Sequence, residues 1–209
     1  MDFIQDLARN LLASIDYEKA AKSSYSNYHC EGLHYVNLFR DERITVKMYI
    51  VTPQYKPNSM GWAVWPHNHS YCFHHYTILG CFTNHAFNIT GGNQWNLFCY
   101  DTPFREGGKG LSFLSKIGLA ERDRKILALG EGYYLQTDEV HTISVSEDWN
   151  AAILIQYHDT HLGPTMMFSK EKEPDCSFTN LYRKMNAQVA IDLIKQVKNK
   201  VKKGIIDIG

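Results

Sequence analysis

The sequence predicts a mainly β protein, a barrel or double-sheet jelly roll with a helix at each end. Between about residues 35 and 157, short apolar runs recur at regular spacing and are separated by Gly, Pro, Asn and Asp, the pattern of a sandwich or barrel. At both ends the apolar period changes to that of a helix. A third observation bears on function: five of the ten histidines, His67, His69, His74, His75 and His85, fall in one short stretch.

At the N-terminus, Phe3, Ile4, Leu7, Leu11, Leu12 and Ile15 share one helical face, which places an amphipathic helix over about residues 3–20, packed outside the main domain. Ile44, Val46, Met48 and Ile50 then alternate with Thr45, Lys47, Tyr49 and Val51, the period of a strand. Pro53, Pro57, Asn58 and Gly61 mark a loop. Strand-like runs follow at Trp62–Trp65, His75–Leu79, Ala86–Thr90, Trp95–Tyr100, Ile126–Leu129, Tyr133–Gln136, Thr142–Val145 and Ala151–Tyr157. Residues 104–125 break the rhythm. Gly107, Gly108 and Gly110 read as a loop, and Leu111–Ala120 as a short helix over the barrel mouth. Over about residues 178–203, Leu181, Met185, Val189, Leu193 and Val197 run at four-residue steps, a C-terminal helix. Lys195, Lys198, Lys200, Lys202 and Lys203 crowd its last turns, where cations suit the helix dipole. The 209 residues are expected to form one domain, with the barrel core over about residues 35–170.

Lys+Arg equals Asp+Glu at 22 each, so no excess charge favours nucleic acid or a membrane surface as a partner. The first residues lack the basic start and apolar core of a signal peptide. No apolar run approaches a membrane span. The five cysteines, Cys30, Cys72, Cys81, Cys99 and Cys176, contain no C-x-x-C pair, so reduced thiols in a cytoplasmic protein are expected.

His67 and His69 are two apart, so on a strand their rings share a face. If His141 comes from a partner strand across the interior, three imidazoles converge, and neutral imidazole is a common metal ligand. His74 and His75 are adjacent, so a strand sends them to opposite faces. His74 is the expected inward one, because Tyr76 and Ile78 continue its face as an interior pattern, with a core histidine hydrogen-bonded to a neighbouring strand as the alternative. His85, His158 and His161 carry no spacing that implies ligation. Cys72 reads as a small core residue, and Trp62, Trp65 and Trp95 as filling for the barrel or its rim.

In these residues the sequence resembles the cupin superfamily. Its first motif, Gly-x5-His-x-His-x3-4-Glu-x6-Gly, is met by Gly61, His67, His69 and Gly80. Its second, Gly-x5-Pro-x-Gly-x2-His-x3-Asn, is met by Gly130 and His141, while Gln136, Asp138 and Val145 replace the other positions. The resemblance covers about residues 40–160 and implies a double-stranded β-helix with a metal inside the barrel, held by His67, His69 and His141. The motif glutamate is absent: its position is Phe73 or His74. That leaves a three-histidine set, or four if His74 turns inward. A three-histidine set resembles the iron site of thiol dioxygenases such as cysteine dioxygenase. This implies Fe(II), with Zn, Ni and Mn as alternatives, and an enzyme oxidising a small polar substrate with O2, a thiol among the candidates. Tyr157 fits the tyrosine that lies beside the iron in that family and can cross-link to a cysteine, with Cys72 the nearest here; core packing is an equal expectation for it. Tyr157 or Tyr76 would donate a hydrogen bond at the site. Arg40 and Arg43 are candidates for the family's substrate-carboxylate arginine. The alternatives are a non-redox isomerase, lyase or hydrolase on Zn or Ni, and a non-catalytic cupin that binds a small ligand. Many cupins pair, so a homodimer is one expected state.

Overall fold

The computed structural model describes residues 6, 10–101, 110–145, 148–158, 164–172 and 183–206. Residues 10–13 are helical. Helix α1 follows at Tyr17–Lys22, capped by the Asp16 side chain, which accepts from the Lys19 N–H at 3.0 Å. Eleven strands come next among the described residues: β1 Tyr25–Ser26, β2 Leu33–Arg40, β3 Ile44–Val51, β4 Phe73–Leu79, β5 Phe82–Asp101, β6 Gly110–Leu127, β7 Gly132–Leu135, β8 Val140–Val145, β9 Asn150–Tyr157, β10 Thr165–Ser169 and β11 Arg183–Lys184. Helix α2, Ala187–Ile206, follows.

The fold is mainly β and antiparallel, as the sequence predicts. One sheet has seven strands in the order β11-β1-β2-β3-β9-β4-β7. The other has β10-β5-β6, with β8 also on β5. Alternation along the first sheet divides its side chains between two apolar clusters. Tyr35, Tyr49, Val51, Phe73, Ala152 and Leu154 face the interior, where they meet Phe82 and Leu127 of the second sheet. Val36, Val46, Met48, Ile50, Tyr76, Ile78, Ile153 and Ile155 face outward, where Leu12, Ala20, Ala21, Ala190, Leu193, Ile194 and Val197 of the helices cover them. The helical segments at both ends therefore pack on one outer face, as expected, but the single helix expected over about residues 3–20 is interrupted at Ser14–Asp16, where the Asp16 side chain starts a new helix. Within α2 the buried face is Ala190, Leu193, Ile194 and Val197, and Val189 is exposed. Among the predicted helix positions Met185 precedes the helix, and Leu181 lies outside the described residues.

Two expected elements are corrected. Residues Leu111–Ala120 are not helical; they belong to the long edge strand β6, paired with β5 along its length. Leu111, Leu114 and Ile117 have helical spacing, while Leu111, Phe113, Ile117 and Leu119 fit a strand, so the pattern carried both periods. The residues Gly107 and Gly108 lie outside the described residues. The run Trp62–Trp65 is not a strand; Pro66 has no N–H to give to a ladder. The tryptophans instead gather with Phe87, Phe98, Val140, Met167 and Phe168 in a cluster of their own. The runs Ala86–Thr90 and Trp95–Tyr100 join into the single strand β5, which passes Gly91 and Gly92 through an irregular stretch between Thr90 and Trp95. Among the described residues no helix is long and apolar enough to cross a membrane.

Candidate metal centre

The three histidines come together because the segment around residue 67 lies between β8 and β10. His67 and His141 form an antiparallel bridge, each N–H donating to the other's carbonyl at 2.9 Å. His67 also bridges Met167 of β10. The Phe168 N–H donates to the Pro66 carbonyl at 2.8 Å, and Asn68 N–H to Met166 at 3.1 Å. The motif glycines hold the surrounding turns. Gly61, Gly80 and Gly130 have φ of 79°, 71° and 86°, the left-handed region where a Cβ is unfavourable. At Gly80 a Cβ would also meet the Asn150 amide oxygen that caps the Cys81 N–H at 2.7 Å.

The ligand atoms of His67, His69 and His141 all lie within 4.8 Å of one another. His69 Nε2 and His141 Nε2 are 3.0 Å apart. His67 Nδ1–H donates to the Trp65 carbonyl at 2.9 Å, and His141 Nδ1–H to Asn84 Oδ1 at 2.8 Å. Each of these bonds fixes the tautomer and leaves Nε2 as a lone pair directed into the cluster. At 3.0 Å the two Nε2 atoms share either a proton, with His69 Nε2–H donating to the His141 lone pair, or a cation. At a metal–nitrogen bond of about 2.1 Å, ligands at a right angle have this separation. The donor set therefore fits a first-row divalent ion. Burial lowers the pKa of His67 to about 4. Burial and then the neighbouring histidines push His69 and His141 well below the usual imidazole range. All three are neutral at neutral pH, the form a metal requires.

Phe73 stands beside the three-histidine group. Its ring stands 4.9 Å from that of His69 and 5.8 Å from that of His141. His74, the expected inward histidine, is on the outer face. Its Nδ1 meets the Tyr157 hydroxyl at 2.9 Å, and its ring lies 4.7 Å from Tyr134. His75 is the inward one, stacked on Tyr133 at 5.0 Å and edge-on to Phe82 at 5.2 Å. The inversion has a physical cause: the helices cover the outer face of β4, so both of its faces are apolar and the pattern has no sign. Tyr157 and Tyr76 follow His74 to the outer cluster, with the sheet between them and the three histidines. Neither donates a hydrogen bond at this centre. The Tyr157 N–H does reach the Cys72 carbonyl at 3.0 Å.

His85 is held by Glu121 at 3.0 Å and by Ser144 at 2.8 Å. His158 pairs with Thr45, whose hydroxyl accepts from Arg40 Nε at 2.9 Å. His161 lies outside the described residues.

Several residues near the centre escaped the sequence reading. The His29 ring is 6.2 Å from that of His67. Lys47 is buried, with Nζ donating to the Tyr71 hydroxyl at 3.1 Å and to Gln156 Oε1 at 3.2 Å. It lies over the rings of Tyr35, Tyr49 and Tyr71 at 5.5, 5.6 and 4.9 Å, and the Tyr71 ring is 5.1 Å from that of His69. Nothing in the sequence marks His29. Lys47 had a signal, since it interrupts a strand whose other members are nearly all apolar.

No protein-family model and no curated protein matches the chain. Its structure is similar to a cupin-like protein of unknown function from Ralstonia eutropha, at 15% identity over 90% of this chain and 85% of that one, with a TM-score of 0.39. It is also similar to hydroxypropylphosphonic acid epoxidase from S. wedmorenis, at 8% identity over 64% of this chain and 55% of that one, TM-score 0.37. A DMSP lyase from Ruegeria pomeroyi matches at 10% identity over 64% of this chain and 51% of that one, TM-score 0.35. The chain thus spans about half the length of the latter two. Likenesses at this level say nothing about activity, which has to be argued from the chain's own residues.

Proposed function

We propose that this chain is a metal-dependent enzyme of cupin type in which His67, His69 and His141 hold Fe(II) and a small polar substrate is oxidised by O2. The observation that carries this reading is the pair of Nε2 atoms 3.0 Å apart, with the Nδ1 positions of His67 and His141 already engaged. The motif resemblance to cupins supports the same three ligands.

An iron(II) ion held by three neutral side chains would supply open positions at which substrate and O2 meet. The residues present have definite tasks. The His67–His141 bridge keeps the two rings in register. Asn84 holds the proton on His141 Nδ1. Phe73 and Tyr133 keep water from the inner side of the cluster. Because no carboxylate joins the set, the ion keeps its full charge, and an anionic or thiolate substrate is favoured. Zn or Ni at the same ligands would instead suit non-redox chemistry, an isomerase, lyase or hydrolase, which proceeds without O2. The expected partners are the small substrate and O2.

The deciding experiment is elemental mass spectrometry of untagged protein beside His141→Ala, followed by oxygen uptake. Near-stoichiometric iron that is lost in the variant, with O2 consumed on adding a thiol or diketone, is the expected result. Anaerobically iron-loaded protein that consumes no O2 across such a panel would sink the oxygenase reading. A barrel that takes up no metal even on reconstitution would sink the metal reading and leave a ligand-binding protein.

A further inference from the structure

We propose that Ser144, His85 and Glu121 form a nucleophilic site on the outer face of the second sheet, at which Ser144 takes a short acyl group from an ester and passes it to water. This site is separate from the three histidines and does not rest on the metal reading.

The three side chains come from three neighbouring strands. Strand β5 lies between β8 and β6; its Thr83 pairs with Ser144 on one side and its His85 with Arg124 on the other. Asn84 faces inward, where it accepts from His141, so Thr83 and His85 face outward. Ile143 and Val145 belong to the interior cluster, so Ser144 faces outward as well. On that face Ser144 Oγ is 2.8 Å from His85 Nε2, and His85 Nδ1 is 3.0 Å from Glu121 Oε1. The sheet itself separates this row from the metal cluster.

The direction of the relay follows from the donors. Glu121 as a carboxylate only accepts. Arg124 grips it with Nε at 2.9 Å and Nη2 at 3.0 Å, and these bonds hold its carboxyl below the usual range. The proton of a neutral His85 therefore sits on Nδ1, and Nε2 offers its lone pair to Ser144. The Ser144 hydroxyl has to donate, which turns its own lone pairs away from the ring. A hydroxyl on a base, with the base oriented by a third group, is the arrangement that activates a serine. Fixing a buried imidazole needs only some donor and some acceptor; here the acceptor is charged and clamped, and the donor is a primary alcohol. His85 is buried and Ser144 half-buried, so the base is shielded while the hydroxyl stays in reach of a solute.

The surroundings set the substrate class. Thr83, directly opposite Ser144, places a second hydroxyl beside it, a donor for the oxygen that turns negative when the carbonyl is attacked. Ile126 pairs with Thr83 from the other side and is 65% exposed, an apolar rest for the acyl chain. Trp62 stands beside His85 with ring centres 5.9 Å apart and limits the acyl group to a short one. In the reaction Ser144 Oγ attacks the ester carbonyl carbon as its proton passes to His85 Nε2. The C–O bond to the alcohol breaks, and His85 returns the proton to the departing oxygen. Water then attacks the acylated Ser144, again giving a proton to His85, and the carboxylic acid leaves as the serine regains its hydrogen.

The test is p-nitrophenyl acetate added to the full chain with a chelator present, so that metal-bound water contributes nothing. A fast burst of nitrophenolate equal to the protein concentration is expected, with slower turnover behind it and the acetyl group on Ser144 by peptide mass spectrometry. Ser144→Ala should remove both burst and label. His85→Gln, which keeps a donor and an acceptor in place, should acetylate at least about 100-fold more slowly. Thr83→Val should slow the burst by about 100-fold. Glu121→Gln changes a surface position and should slow it at least about tenfold, because an amide no longer holds the proton on Nδ1. It decides alone should His85→Gln fail to fold. The proposal is overturned by the absence of a burst or by acetylation of lysine or cysteine in place of Ser144. Unchanged acetylation of Ser144 in folded His85→Gln or in Glu121→Gln also overturns it, since the row is then a structural network beside an accessible hydroxyl.

Discussion

His74 and His75 are consecutive residues on opposite sides of one sheet: His75 stacks on Tyr133 in the interior at 5.0 Å, and His74 bonds the Tyr157 hydroxyl under the outer face at 2.9 Å. Substitutions on the outer pair should therefore leave the metal untouched. Tyr157→Phe is expected to retain the metal content of the wild type and to lose about 1 kcal/mol of stability with its hydrogen bond. Elemental analysis and a denaturant titration check both. Loss of metal in Tyr157→Phe would contradict the placement of this face.

Asn84 acts on the centre through His141. Without its oxygen the His141 ring is held by less and the proton is no longer fixed on Nδ1. Asn84→Ala should reduce metal affinity by about 10- to 100-fold with the fold intact. Competition against a chelator of known affinity measures it. Unchanged affinity would show that the backbone bridge to His67 alone positions the ring.

Phe73 stands beside the rings of His69 and His141, at one of the two positions to which the motif resemblance assigns a carboxylate. Phe73→Glu is expected to lower the melting temperature of metal-free protein, because an unpaired carboxyl enters an apolar interior. Added Fe(II) or Zn(II) should raise that melting temperature more than it does for the wild type. Thermal melts with and without metal decide this; an equal metal response in both proteins would mean that position 73 does not face the ion.

Lys47 gives a pH signature above neutrality. Burial lowers its pKa from the usual 10.5 to about 8, with Tyr35 opposing the shift and Arg40 adding to it. Below pH 8 the ammonium is charged in both the folded and the unfolded chain, and the burial cost is fully present. Between pH 8 and 10.5 the folded chain has lost the proton and the unfolded chain still holds it. Stability then rises with pH, by an amount on the order of a few kcal/mol. Wild type should gain stability relative to Lys47→Met across that window, measured by urea titrations at each pH. A constant difference would mean the lysine is solvated.

On the acid side the histidines act in the opposite window. Burial holds His67 and His34 at about 4 and His75 at about 3, below the ordinary 6.5. Above 6.5 they are neutral in both states. As pH falls from 6.5 toward 4 the unfolded chain takes up protons that the folded chain refuses, so metal-free protein should lose stability over that range. His75→Phe should flatten the slope. A pH-independent midpoint between 6.5 and 4 would contradict the burial of these rings.

The sequence by itself determined the fold class, a helical segment at each end and the three converging histidines. These rest on local physics. A strand period of two and a helix period near four are written in consecutive residues, and His-x-His with a correctly spaced third histidine survives the loss of the neighbouring motif positions. Tertiary structure alone decided everything that depends on which side of a sheet is inside. Because helices cover one face of β4 and the interior lies against the other, apolar residues stand on both, and Tyr76 with Ile78 pointed the reading to the wrong face. The same holds for β6, where one string of residues satisfied both a helix and a strand until β5 supplied its partner. Lys47 and His29 reach the centre only through the pairing of β2, β3 and β9 and the turn before β2. No spacing in the chain encodes that approach, because contacts across a barrel are fixed by strand register and not by distance along the sequence.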